Sequence, residues 1–443
     1  MSDLEFHTFG CKVNTYDTGL LQKRLASLGD TPNESVSSKK KIHIINSCAV
    51  TAEATTEALR RARQLKRQEP DSLIVLTGCS AQVDARIVDQ ASEVDLVIAN
   101  SHKTEIQSIV ENYLKSQEPT PKVFRSNIFR KEDLEPGGGI ENLHTRSFLK
   151  VQDGCNSFCS FCVIPYARGK SRSLGVRDIV KRVSELVELG VKEVVLTGIH
   201  IGDYQDDETG ADFTELVRHV LGETSMPRIR LSSFEPIEVS DELLKLFVDD
   251  RLCPHFHMSI QSASTKVLSD MKRKYSADEV RRSLENIKTW VPQAFVGLDV
   301  IAGFPSESKA FFEESFLNLA ASPWNKIHVF PYSERQGTRA ALMSEKIEVR
   351  ERKLRARRLR ELSDERFNLS IQKQLGTTKN VLILKNAARG AMGLSRDYFS
   401  IDLSGESGES LKPGDEVRTE MIAVRNREGR EPLLMAKMCG AQS

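Results

Sequence analysis

Two sets of three cysteines account for most of the thiol chemistry open to this 443-residue sequence. The segment GCNSFCSFC puts Cys155, Cys159 and Cys162 in a CxxxCxxC spacing just after the apolar run RSFLKV. Curled in a loop, so short a stretch can bring three sulfurs to neighbouring corners of a small iron–sulfur cube. Structural zinc sites normally close with four ligands, and no fourth Cys or His follows nearby. Three ligands leave one iron uncovered, open to the amino and carboxylate groups of a methionine-derived molecule. Cys11, Cys48 and Cys79 make the second set, in HTFGCKVN, IINSCAVT and VLTGCSAQ. Each time an apolar run ends on a small residue followed by the thiol. A lone cysteine there is usually a small buried hydrophobe. Three recurrences, 37 and 31 residues apart, favour ligands of a metal centre that keeps one position open.

Parallel strands explain how such distant thiols meet. The spacing is about one βαβ unit, and the carboxyl ends of parallel strands share one edge, where ligands bind. Each cysteine also precedes a helical stretch, whose amino end favours the thiolate. Strand-like EFHTFG, KIHIINS, LIVLTG and VDLVIAN alternate with helical stretches, which predicts a parallel α/β domain over residues 1–115. A polar linker follows at 116–143, with the GGG of Gly137 to Gly139. Residues 144–372 repeat the strand–helix pattern about six times, enough for a partial (β/α)6 TIM-like barrel, and end in the basic helix RERKLRARRLRELSDERF. Residues 376–440 turn to short alternating strands with Gly and Pro turns, which predicts a small antiparallel β-barrel. The fold class is therefore multidomain α/β with a small all-β end.

The composition sets limits. A formal net charge of +1 predicts no global attraction to polyanions, so any nucleic-acid contact must be local. MSDLEFHTFG lacks a basic n-region and a long apolar core, and no run approaches the roughly 20 apolar residues that span a bilayer. Eight cysteines spread over a long chain do not make a disulfide scaffold. The expectation is a cytoplasmic, reduced protein with no membrane partner.

CxxxCxxC opening a (β/α) repeat resembles the radical S-adenosylmethionine (SAM) superfamily. With a second cysteine triad before it and a β-rich end after it, the whole chain resembles the methylthiotransferase family. TFGCKVN, NSCAVTAEA, TGCSAQ, FLKVQDGCNSFCSFCVIPYARGKSRS, TGIHIGDY and HVFPYSERQGT resemble the branch acting on tRNA N6-threonylcarbamoyladenosine. The isopentenyladenosine branch has GCQMN and NTCSIR, the ribosomal-protein branch GCPKN and NTCGF, and this sequence has neither. Two departures stand out: Ala263 where glycine is usual in QSGS, and Ser306 in place of the glycine of GFPGE.

The resemblance implies an auxiliary [4Fe-4S] cluster on Cys11, Cys48 and Cys79 and a SAM-cleaving [4Fe-4S] cluster on Cys155, Cys159 and Cys162. It implies a C-terminal RNA-binding TRAM domain and two SAM molecules per turnover, one supplying a 5′-deoxyadenosyl radical and one a methyl group. The C2–H of adenine is not acidic and carries no leaving group, so a cofactor must do the hard step and no side chain need act as base. Implied partners are the anticodon stem-loop of ANN-decoding tRNAs, modified at position 37, an electron donor such as flavodoxin or ferredoxin, and a sulfur donor system. Phe161 would face the adenine of SAM, plain packing being the alternative. Thr197, Gly198, Ser233, Glu235, Gln261, Ser262, Asp299 and Gly303 lie at or near barrel strand ends and suit the ribose and methionine groups, although each could simply cap a helix.

Two helices are locally basic; such runs are usually solvated faces, and a phosphate contact is expected only from the second, RERKLRARRLR, with seven basic residues in eleven and one acid. Arg60, Arg61, Arg63, Lys66 and Arg67 lie on one, and Arg350, Arg352, Lys353, Arg355, Arg357 and Arg358 on the other. Arg396, Tyr398 and Phe399 add charge and stacking surface in the β-rich end, with one aromatic turned to the core. Cys253, His255 and His257 alternate on a strand and read as packing or cofactor contacts rather than a metal site; Cys439 reads as idle, and His200 as touching substrate or cofactor. Two competing readings keep other substrates open: a methylthiotransferase for isopentenyladenosine tRNA or a ribosomal protein, and a non-enzymatic Fe–S RNA-binding regulator.

Overall fold

The computed structural model describes residues 4–30, 41–116, 121–132, 134–135, 137, 145–387, 390–404 and 411–439. The first sheet holds β1 (Leu4–Thr8), β2 (Ile42–Ser47), β3 (Leu73–Gly78), β4 (Leu96–Ala99) and β5 (Val123–Phe124), in that order and parallel throughout. IHIINS, LIVLTG and LVIA are buried at every position. That is why they read as near-continuous apolar runs, the signature of a parallel sheet covered on both faces. β5 lies in the stretch expected to be linker. Its two residues extend the sheet there, while most of the GGG run falls outside the described residues.

The second unit carries β6 (Arg146–Lys150), a β7 (Gln152–Asp153) to β8 (Arg172–Ser173) ribbon, β9 (Glu193–Thr197), β10 (Arg228–Leu231), β11 (His255–Gln261), β12 (Phe295–Ala302) and β13 (Lys326–Pro331). The six long strands form two parallel triplets, β10-β9-β6 and β11-β12-β13. Phe234 joins them: its N–H donates to His257 O (2.9 Å) and its carbonyl accepts from Ser259 N (2.8 Å). The result is an open six-strand arc with no pairing between β6 and β13 among the described residues. The helix Lys12–Asp30 of the first unit packs against β6, and its Tyr16 joins the apolar core of the arc beside Leu149 and Val151. The helix Val349–Gln372 runs along β13.

In the C-terminal part, β14 (Thr378–Ala387), β15 (Gly390–Ser395), β16 (Ser400–Asp402), β17 (Glu416–Arg427) and β18 (Arg430–Met438) close into a ring in the order β14-β15-β16-β18-β17. The expectation of a wholly antiparallel end needs correction, because β16 and β18 pair in parallel. Parity requires this: directions cannot alternate around a closed ring of five strands, so at least one neighbouring pair must run parallel. The ring docks at the amino ends of the arc strands, where Glu193 accepts from the fully buried Arg228 and Arg230. Arg228 also reaches Glu416 (2.6 Å) and Leu394 O (3.1 Å), and Arg230 reaches Arg396 O (3.0 Å). Among the described residues no helix is long and apolar enough to cross a membrane.

Candidate functional site

Cys48 and Cys79 directly follow β2 and β3, and Cys11 comes three residues after the end of β1. Parallel pairing puts all three on one edge. The approach is close enough to dictate the residues beside them. Gly10 has φ +95°, and a Cβ there would lie 2.6 Å from Cys48 Cβ and 2.7 Å from its Sγ. Gly78, also at +95°, would put a Cβ 2.4 Å from Ser47 O. Burial first, and then the neighbouring Cys79, pushes the Cys48 thiol up to about 12.

The second triad follows β6 and β7 in a loop that folds back on the chain. A Cβ on Gly154 (φ +75°) would collide with Lys170 O at 1.9 Å. Burial pushes Cys162 up to about 12 and also raises Cys159. Burial acts on Cys155 the same way, but a hydrogen bond from His200 and donors from Ser157 outweigh it and lower that thiol. Crowded thiols that resist ionising on their own are stabilised as thiolates by a shared cation. Backbone N–H groups already point at the sulfurs: Val50 at Cys48 (3.5 Å), Ser157 at Cys155 (3.4 Å) and Ile164 at Cys162 (3.4 Å). Both donor sets therefore fit an iron–sulfur group held by three cysteines.

The two edges are wired together. The helix Ile164–Arg168, just past Cys162, packs Val163 and Ala167 against Ala49 and Cys79. Asn100 donates to Ala167 O (2.9 Å) and lies 3.8 Å from Cys79 Sγ. Arg168, buried, donates to Asn14 (2.6 Å) and Asp17 (3.0 Å) in the first unit and to Asp153 (3.0 Å) in the second. Lys150 bridges the same Asp17 and Asp153 at 2.7 Å each, and Lys103 adds a contact to Asp17 at 3.2 Å. Asp17 is held well below the usual carboxylate range because Lys103, Lys150 and Arg168 together outweigh its burial.

A cavity of about 330 Å³ opens beside the loop triad, lined by Ser157, Cys159, His200, Glu235, Glu238 and Arg273 among others. Arg273 donates to Cys159 Sγ (3.3 Å), to Ser259 O (3.0 Å) and to Glu235. His200 lies 3.8 Å from Cys155 Sγ, 3.0 Å from Asp203 and 2.5 Å from Glu238. Those carboxylates and the Cys155 sulfur overcome burial and push the imidazole up from its ordinary value.

The amino-terminal region, residues 3–99, matches the Uncharacterized protein family UPF0004, and residues 149–317 match the Radical SAM superfamily. A threonylcarbamoyladenosine tRNA methylthiotransferase MtaB from Aquifex aeolicus is 38% identical over 90% of this chain and 96% of its own length. The chain belongs to this methylthiotransferase family. The Bacillus subtilis MtaB is 34% identical over 82% of this chain and 81% of its own. A tRNA-2-methylthio-N(6)-dimethylallyladenosine synthase from Desulfotalea psychrophila is 29% identical over 94% of this chain and 95% of its own. Among solved structures, the radical SAM methyltransferase TsrM from Kitasatospora setae shares the fold: TM-score 0.54 and 12% identity, over 77% of this chain and 75% of that one. As a radical SAM family member the chain uses an iron–sulfur group and SAM.

Of the residues expected to bind SAM, Glu235 lines the cavity of this family member. Phe161 sits edge-on to Phe304 (6.5 Å) with the Arg273 guanidinium 6.0 Å from its ring. Thr197 is buried and bonded to Ser232 (3.2 Å), and Gly198 abuts Gln152. Ser233 is half-buried after β10. Gln261 ends β11 at φ +63°, and the buried Ser262 accepts from Ser264 N (3.2 Å). Asp299 pairs with His257 (2.8 Å), and Gly303 (φ +76°) lies against Arg352. Ser306, where glycine is usual, takes φ +73°, so the glycine-favouring backbone is kept and tied by the Ser306 hydroxyl to Asp270 (2.5 Å). His200, expected to touch substrate or cofactor, lines the cavity, while Arg273 and Glu238 are cavity residues that the sequence did not single out. Arg273 stands in the run MKRKYS, where nothing separates it from its lysine neighbours.

Three of the expected RNA contacts are engaged within the chain. Arg355 is buried, bound to Glu307 and Glu351 at 2.9 and 2.8 Å. Arg396 is spent on Glu416 (2.8 Å) and on Asp250 O (2.7 Å), tying the ring to the arc. Tyr398 stacks on His255 at 3.9 Å with Arg230 over its ring, while Phe399 is core. On the same basic helix Arg352 is half-buried on Tyr332 O (3.1 Å), and Arg358 pairs with Glu313 (2.5 Å). Arg350, Lys353 and Arg357 are exposed. On the other, Arg63 and Lys66 pair with Glu93 (2.7 Å) and Asp95 (2.9 Å). Cys253 is buried beside Glu193, 4.0 Å away.

Proposed function

We propose that this chain converts N6-threonylcarbamoyladenosine at tRNA position 37 to its 2-methylthio derivative. In this reading Cys11, Cys48 and Cys79 hold an auxiliary [4Fe-4S] cluster, and Cys155, Cys159 and Cys162 hold the SAM-cleaving one. The observation that carries it is the pair of three-thiol edges joined through one short helix, in a chain whose relatives are tRNA methylthiotransferases. When bound, these groups with two SAM molecules supply the radical that removes the C2 hydrogen and the methylated sulfur that replaces it. The protein's own groups position the reactants. Arg273 and His200 place donors on Cys159 and Cys155, and Asp17, Lys150 and Arg168 fix one thiol edge against the other. Glu235 and Glu238 offer acceptors to the amino and hydroxyl groups of SAM inside the cavity. The C-terminal ring serves as the RNA-binding TRAM domain, residues 1–115 and 144–372 are the two catalytic domains, and the enzyme works in the cytoplasm with a flavodoxin- or ferredoxin-like donor and a sulfur donor system.

Mass spectrometry of tRNA nucleosides from cells lacking the gene, with and without a plasmid copy, tests the substrate. Loss of 2-methylthio-N6-threonylcarbamoyladenosine, restored by the wild-type copy but not by Cys11→Ala, is the expected result. Loss of the isopentenyl counterpart instead would replace the substrate and keep the chemistry.

A further inference from the structure

Three aromatic rings meet beside the cysteine loop: Phe129 from the 3-10 turn Ile128–Arg130, Phe158 from the loop itself, and Tyr166 from the helix Ile164–Arg168. Their centroids lie 6.2, 6.0 and 5.8 Å apart, Phe129 and Phe158 stacked and Tyr166 edge-on to both. Such geometry is ordinary in a core, yet Phe158 is 39% and Tyr166 46% exposed. Water contact on large aromatic faces is unfavourable and marks a surface that something covers.

Three further observations point to function. Phe158 holds φ +45°, a backbone that bulky residues avoid and that persists where the surroundings impose it, as at ligand clamps. Its neighbour Ser157 lines the cavity beside the loop triad, so Phe158 lies one residue along the chain from the cavity lining. The flanking chain is basic: Arg130 and Lys131 follow Phe129, and Lys170 and Arg172 follow Tyr166, with Arg130 and Lys170 exposed. Aromatic faces among cations are what unpaired nucleic acid binds, bases on the rings and phosphates on the charges.

We propose that Phe129, Phe158 and Tyr166 form a stacking platform for an unpaired nucleobase beside the adenosine being modified. This rests on the tRNA reading above. The target base has to leave its loop stack to present C2 to the cavity, and its neighbour then loses a stacking partner. An aromatic face beside the cysteine loop replaces that partner and sets how far the target reaches. Protein ligands fit less well, because a peptide gives the flanking cations no regular row of anions to meet.

Equilibrium binding of the cluster-loaded enzyme to an anticodon stem-loop carrying N6-threonylcarbamoyladenosine, with 2-aminopurine at the neighbouring position, tests this directly. Tyr166→Ala should weaken binding about 5- to 150-fold, the range for one base–aromatic stack, and abolish the fluorescence change seen with wild type. Tyr166→Phe should restore both. Iron content and 5′-deoxyadenosine formation without RNA should stay at wild-type levels. Phe129→Ala, outside the cysteine loop, should act in the same direction and carries the test if Tyr166→Ala loses iron. Wild-type affinity and fluorescence change in both alanine variants would overturn the platform. So would an equal loss of affinity for a fully paired RNA hairpin. If wild type shows the fluorescence change but forms no methylthio product, the substrate reading fails and the platform stands. If product forms while the alanine variants bind like wild type, the platform alone fails.

Discussion

The two cysteine edges solve one problem in opposite ways. The loop triad gathers Cys155, Cys159 and Cys162 within eight residues of one loop, so local chain geometry does most of the work. The strand-end triad takes one thiol from each of three strands and depends on the register of a whole parallel sheet. A local triad survives anything that leaves its loop intact. A dispersed triad fails whenever its sheet shifts, and its position against its partner must be set by contacts elsewhere. The buried Asp17–Lys150–Arg168 network is that setting, and it costs desolvation of five charges, counting Lys103 and Asp153.

This contrast can be broken experimentally. Asp17→Asn should have the largest effect, because it leaves Lys103, Lys150 and Arg168 with a single carboxylate. Removing one partner of a buried ion network costs about 3–5 kcal/mol, readable as loss of denaturant stability with the first unit released from the second. The sign with pH follows. Asp17 is depressed in the folded state, so its contribution is complete above the unfolded carboxylate's value of about 4 and fades as the pH falls through the folded value. Asp17→Asn should therefore flatten the acid side of the stability profile. Gly10→Ala comes next, at about 2 kcal/mol, from its left-handed backbone and its collision with Cys48. It should halve the iron content while leaving SAM cleavage intact, and equal damage to both functions would erase the proposed independence. Arg273→Ala is the smallest and the mirror image. It should weaken SAM binding about tenfold, one charge-assisted hydrogen bond, with full iron at the strand-end triad.

How much of this was legible in the sequence follows the same contrast. CxxxCxxC is a local pattern and stands out unaided, whereas the dispersed triad was visible only because strand–small–Cys recurred three times. The network of Asp17, Lys150 and Arg168 left no trace, since its members are up to 151 residues apart and each is unremarkable alone. The basic helix misled for the same reason. Arg355 looks like its neighbours until Glu307, 48 residues away, takes it into the core. Tyr398 and Arg396 read as an RNA face because nothing local reveals His255 and Glu416. The Phe129–Phe158–Tyr166 cluster joins a cysteine loop to a stretch read as linker, a juxtaposition that only the fold makes.

The central claim is that two separate clusters are held and that they do different things. Iron and sulfide quantification paired with product analysis, on Cys48→Ala and Cys159→Ala prepared side by side, tests it most directly. Each variant should keep about four of about eight irons per chain. Cys48→Ala should still form 5′-deoxyadenosine from SAM but no methylthio product, and Cys159→Ala should do neither. Loss of all iron in both variants, or methylthiolation by Cys48→Ala, would contradict the account.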